Sequence, residues 1–240
     1  MIGTILNAVS IGAGSLWAMR TQREPSDASQ QAVKLGLCIA IVWVGLEVCW
    51  DAFGGGLKRI MGQLGLMLAA MTLGNVVGRL LRLQKGFSWL GQKARHHFQS
   101  VSTDGVSTLR GGVVATCVIL FCATPISILG ALIEGLSGNP RPLFVKAVMD
   151  GLAAVSFTKC FGRSVFISVI PLLAFQGTLT LAARWMEPML HQRDLLDPVL
   201  RVAGLLVFSV ALVLLEVKRL ELANYLPSLI FAPLLVWLFR

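Results

Sequence analysis

Long apolar runs alternate with short polar ones along the whole chain, and the runs have the length needed to cross a bilayer. The predicted spans are Ile2–Ala18, Leu35–Phe53, Ile60–Leu81, Gly111–Leu136, a fifth starting in the turn SGNPRP (Ser137–Pro142), Ser164–Trp185, Val199–Val217 and Glu221–Phe239. The expected fold class is therefore all-α: a polytopic transmembrane helical bundle of about eight spans, with seven as the alternative, in a single domain over residues 1–240. The first cation, Arg20, follows the first apolar run, so this run is expected to stay as a membrane helix and not to be cleaved as a signal.

The interruptions of the pattern matter as much as the runs. Thr124-Pro125 lies in the middle of the fourth span, where proline removes a helix hydrogen bond and predicts a kink or break. Pro171 in the sixth span, and Pro227 and Pro233 in the eighth, predict similar irregularity, whereas the seventh span has almost no internal features and reads as support. Residues 85–110 form the long hydrophilic connection. There Phe87, Leu90, Ala94 and Phe98 fall near one face with Lys93 and Arg95 elsewhere, which predicts an amphipathic cytoplasmic segment followed by the Ser/Thr-rich loop STDGVST.

Composition narrows the function classes. A chain of 240 residues that is 55% hydrophobic, only 14% charged and of mean hydropathy +0.75 is too apolar for a soluble domain. Its net charge of +9 comes from short basic groups between apolar runs, which suits loops facing an anionic leaflet; nucleic acid is not an expected partner. The five cysteines sit inside apolar runs and His96, His97 and His191 lie in polar connections, so no metal and no cofactor is expected. There is no HExxH and no GxSxG, and no enzyme is expected.

Candidate chemistry gathers between Cys122 and Gly151, in two apolar helices and a turn that carry Glu134, Lys146 and Asp150. Lys146 and Asp150 are four residues apart, so they share a helix face and can pair. Asp150 falls about 12 Å inside its helix, and an unpaired acid near a bilayer centre costs roughly 2.5–3.5 kcal/mol on insertion scales. Asn7 and Gln176 are the expected hydrogen-bonding neighbours, and Asn75 and Asn224 are secondary candidates. Glu47 and Asp51, also four apart, read either as a cation-attracting rim or as a solvated helix end.

Alternate connections differ in Lys and Arg content, and the positive-inside rule then puts both termini outside. On that topology Asn7, Glu134, Lys146, Asp150 and Gln176 share the outer half, predicting an outer-facing polar cavity. Two function classes follow. One is a small transporter or channel for a polar or ionic solute; the other is a non-transporting membrane scaffold or assembly partner. Water reaching the acid–base pair favours the first class, and a pair sealed among packed side chains favours the second. The expected partners are the lipid bilayer and a small solute or ion, with a homo-oligomer left open.

The opening GTILNA (Gly3–Ala8), LFCA (Leu120–Ala123) with Leu129-Gly130, EGLSGNP (Glu134–Pro140), Lys146 with Asp150, and NYLPSL (Asn224–Leu229) together resemble the bacterial integral-membrane family known as domain of unknown function 554. The likeness runs in the same order over nearly the whole chain, departing around Thr124-Pro125, where the family would have a small, Gly-containing run. It implies a compact multi-pass inner-membrane protein of a kind often labelled a transporter, with no established substrate or catalytic residue.

Overall fold

Thr124-Pro125 is where the chain departs most from straight rods. A residue before proline is pushed out of the helical region, and Thr124 accordingly takes φ −100° and ψ 138°. The two helices on either side of it, Val114–Cys122 and Pro125–Ser137, are bent by 61°. The computed structural model describes residues 1–21, 27–90, 92–93, 110–217 and 220–239. Its helices are α1 (Ile2–Arg20), α2 (Asp27–Asp51), α3 (Leu57–Leu80), α4 (Arg110–Cys122), α5 (Pro125–Ser137), α6 (Arg141–Phe161), α7 (Ser164–Ile167), α8 (Val169–Gln192), α9 (Leu196–Leu214) and α10 (Ser228–Leu238). A 3-10 turn, Leu222–Tyr225, precedes α10, and residues 83–90 are helical as well. Most of the predicted amphipathic connection, with His96 and His97, lies outside the described residues.

Among the described residues all regular structure is helical. Five helices are long and apolar enough to cross a membrane: Ile2–Arg20, Ala28–Asp51, Leu57–Leu80, Ser164–Gln192 and Leu196–Leu214. The bent pair adds a sixth crossing if it is counted as one. The expected count of about eight thus exceeds what length and apolarity alone support. The difference lies in α6, a 21-residue helix carrying Lys146, Asp150 and Lys159, and in the short apolar stretch Leu222–Leu238. Helix extends beyond two of the expected spans: α2 begins at Asp27, ahead of the span expected from Leu35, and α8 runs past Trp185 through Pro188 to Gln192.

Lipid offers apolar side chains no reason to hide from it, so membrane helices associate through close packing, and small residues let backbones approach. That is how this fold is joined. A Cβ on Gly45 of α2 would lie 2.5 Å from the Phe208 amide nitrogen of α9, and one on Gly204 of α9 would lie 2.5 Å from that of Cys49. In α1 and α6, Gly14 and Gly151 meet in the same way. Contacts between α1 and α6 climb together, Gly3 with Leu143 and Gly14 with Gly151, so these helices run parallel. Between α2 and α9 they run oppositely, from Gly45 with Phe208 to Ala52 with Arg201. The main core, around Ile41, Val48, Leu129, Ile133, Val202 and Leu206, lies where α2, α5 and α9 converge. Large apolar side chains such as Trp43, Trp50, Trp185 and Ile230 point outward, toward where lipid tails would be.

Candidate functional site

Glu134 is brought to the start of α1 by the way α5 stops. Gly138 adopts φ +70°, a conformation that suits glycine, and its N–H donates to the Glu134 carbonyl at 3.0 Å, closing the helix. The N-cap of α1 supplies no side-chain cap of its own. Glu134 does this from another helix: Oε1 accepts the Gly3 N–H at 2.7 Å and the Met1 ammonium at 2.8 Å, while Oε2 accepts the Thr4 hydroxyl at 3.3 Å. A carboxylate at the positive end of a helix dipole is well placed, and Glu134 is 4% exposed.

About one helical turn further along α1, at Asn7, the predicted pair is met. Lys146 Nζ donates to Asp150 Oδ1 at 2.6 Å and to Oδ2 at 2.7 Å. Asn7 of α1 donates its amide hydrogens to Asp150 Oδ2 and to Gln176 Oε1 of α8, both at 3.1 Å. Gln176 then donates from Nε2 to Ser127 Oγ at 2.7 Å, just past the Thr124-Pro125 break. One connected network therefore joins α6, α1, α8 and α5. Asp150, Lys146, Asn7 and Gln176 meet in it directly, and Glu134 adjoins it through Thr4, which lies 3.4 Å from Thr180.

The predicted outer-facing cavity is not what surrounds the pair. Lys146 is 2% exposed and Asp150 6%, and Asn7 and Gln176 are fully buried. A cavity of about 560 Å³ lies between α2, α6 and α9, and an apolar groove of about 410 Å³ lies between α1 and α8; neither is lined by the pair. Within this closed setting the ammonium meets both carboxylate oxygens of its own helix, so the two charges neutralise each other and part of their burial cost is offset. One atom is left over. Asn7 Oδ1 is buried with no hydrogen-bond partner.

Asn224 and Asn75 do not join this network. Asn224 Oδ1 accepts the Gln84 N–H at 3.0 Å and its Nδ2 donates to Glu221 at 2.7 Å, forming a second polar knot where the 3-10 turn meets the chain after α3. Asn75 is half-buried in α3, with Oδ1 unpartnered. Glu47 pairs with Arg141, pinning the end of α2 to the start of α6.

Several residues in this architecture escaped sequence reading. Thr4 and Thr180 complete polar stripes with Asn7 and Gln176 at three- and four-residue spacing, a signal that was present. Arg201 corrects the view of the seventh span as featureless: it is 5% exposed in α9, donates from Nε to the Ala52 carbonyl at 3.0 Å and lies 5.4 Å from the Phe53 ring centre.

A family described as a protein of unknown function, DUF554, matches residues 2–237. The chain is 27% identical over 237 residues to the uncharacterized membrane protein YdfK of Bacillus subtilis, covering 99% of this chain and 96% of that one. It is 29% identical over 234 residues to the uncharacterized protein YqgA of Escherichia coli, covering 97% and 94%. No solved structure matches.

Proposed function

This chain belongs to the DUF554 family of membrane proteins, and from that premise we propose that it is a small transporter or channel whose buried polar network includes a solute-binding position beside Asn7. The observation that carries this reading is Asn7 Oδ1. A buried acceptor without a donor costs about 1–3 kcal/mol, and turning the amide over would only aim that oxygen at Asp150 and Gln176 Oε1. The position is completed by a group that donates hydrogen bonds or carries positive charge. The solute class is therefore a small cation, a proton carried by water, or a small ammonium compound. Asp150 is the acceptor, Lys146 the internal cation with which the solute competes for it, and Asn7 and Gln176 the orienting amides. Glu134 holds the start of α1 in position.

The proposed setting is the bacterial inner membrane, crossed eight times, with both termini on the outer side. Helix directions support the count: α1 and α6 run parallel, while α8 opposes α1 through Thr4–Thr180 and Asn7–Gln176. α6 and the bent pair then each cross once, as does Leu222–Leu238. The test is flux of alkali cations, protons and small amines into proteoliposomes. Wild type should move one of them, and Asp150→Asn should abolish flux while remaining a folded, monodisperse membrane protein.

A second reading, a non-transporting scaffold or assembly partner, is favoured by one specific observation: the pair is sealed and self-neutralised. Wild-type flux compared with that of the double variant separates the two. A scaffold moves no solute in either form, whereas a transporter loses its flux in Lys146→Met with Asp150→Leu while staying folded.

A further inference from the structure

The cavity between α2, α6 and α9 lies toward the end of the molecule away from Glu134. Gln30 and Lys34 line it near the start of α2, and its wall follows α6 inward from Ser156 through Ala153 to Met149. Lys34 pairs with Glu216 at 3.0 Å, so this end of the cavity presents a carboxylate that partly offsets the ammonium. The depth of the cavity is informative. Met149 lies twelve residues from the far end of α6 at Phe161, about 18 Å along the helix axis, and it immediately precedes Asp150. The cavity thus reaches the membrane level of the buried pair from one side. From the other side, Glu134, Thr4 and Thr180 close over it.

What separates cavity from carboxylate is the surface of α6 itself. Ala153 lines the cavity and lies three residues beyond Asp150, which at 100° per residue places the two about 60° apart around the helix. A rotation of α6 by that amount would exchange Ala153 for Asp150 in the cavity wall. We infer that this cavity is the aqueous entrance by which a small cation reaches Asp150, and that the structure is the state open toward the Lys34 face and closed toward the Glu134 face. The inference rests on the transport reading above and adds to it a route and a direction.

The test uses the full-length protein in sealed vesicles of both orientations, with Cys160→Ala removing the exposed native thiol; Cys38, Cys49, Cys117 and Cys122 are buried. Gln31→Cys marks the Lys34 face. Ser156→Cys and Met149→Cys should react with a membrane-impermeant trimethylammonium thiosulfonate from the face that modifies Gln31→Cys and not from the other, and modification at Met149→Cys should block flux. Protection of both from the aqueous reagent, with reaction only toward a lipid-soluble maleimide, would mean that lipid fills the cavity and would overturn the inference even if flux is intact. One-sided aqueous labelling in a protein that moves no cation would instead overturn the transport reading, and with it the use of this cavity by a solute.

Discussion

Two helix pairs hold this molecule together, and they are built from the same material to different ends. Both α1–α6 and α2–α9 meet through glycines set where any Cβ would collide with the facing helix. Yet α2–α9 surrounds its glycines with Ile41, Val44, Val48, Val202 and Val207, while α1–α6 sets Asn7, Lys146 and Asp150 beside its own. The apolar pair is joined along its middle by close packing, with polar links only near its ends, Arg201 to the Ala52 carbonyl and Lys34 to Glu216. A buried ion pair adds little stability and is often outperformed by apolar residues of similar size. The charges of α1–α6 therefore need an explanation that packing does not supply, and that contrast supports a functional reading of the network.

The largest expected effect comes from breaking the charge pair on one side only. Lys146→Met leaves Asp150 buried without its cation, and the loss should be about 3–5 kcal/mol, read as a large fall in the thermal midpoint in detergent. Adding Asp150→Leu should restore most of that midpoint while flux stays absent. If the double variant remains as unstable as the single one, the pair is a structural element and the contrast between the two interfaces disappears.

Size should matter more in the other interface. At Gly204 a new Cβ meets the Cys49 amide and the Gly45 carbonyl, both main chain, so Gly204→Ala forces α2 and α9 apart and should cost about 1–3 kcal/mol. At Gly151 the nearest atom to a new Cβ is the Ser10 hydroxyl, which can turn aside by giving up its hydrogen bond to the Ala147 carbonyl, and the nearest main-chain atom, the Ser10 carbonyl oxygen, lies at 3.1 Å against 2.5 Å for the Cys49 amide at Gly204. Gly151→Ala should therefore cost less than Gly204→Ala in the same thermal measurement. The reverse order would mean that α1–α6 is the tighter seam and that its polar residues help to close it.

How much of this was legible in the sequence depends on whether the signal was local. Lys146 and Asp150 declared their pairing by spacing on one helix, and Thr124-Pro125 declared the break, because both effects act within a single turn. Asn7 and Gln176 could be named as polar points inside apolar spans, but their meeting across α1 and α8 depends on helix packing that no single segment encodes. Glu134 was singled out as a charge, whereas its work as a cap on α1 needs two helix ends 130 residues apart. The closed state was not legible at all. Whether water stands beside an ion pair depends on how its neighbours pack, and the open cavity formed instead against the adjacent face of α6. Arg201 was hidden by its position near the end of a span, where a cation reads as interfacial although it is 5% exposed in the fold.

The smallest effect belongs at the mouth of that cavity and tests the comparison from outside. Lys34 and Glu216 join α2 to the end of α9 across 3.0 Å, but their side chains are 49% and 82% exposed. Exposed pairs contribute roughly 0.2–1 kcal/mol because water and salt screen them, so Lys34→Ala should barely move the thermal midpoint, and added salt should erase the difference. Its effect on flux should have the opposite character. Removing the ammonium while leaving Glu216 makes the mouth more negative, so cation uptake from the Lys34 face should quicken at low ionic strength and return to the wild-type rate as salt rises. A stability loss as large as that of Gly204→Ala would make this contact part of the α2–α9 seam, and a rate indifferent to salt would remove the cavity from the path of the ion.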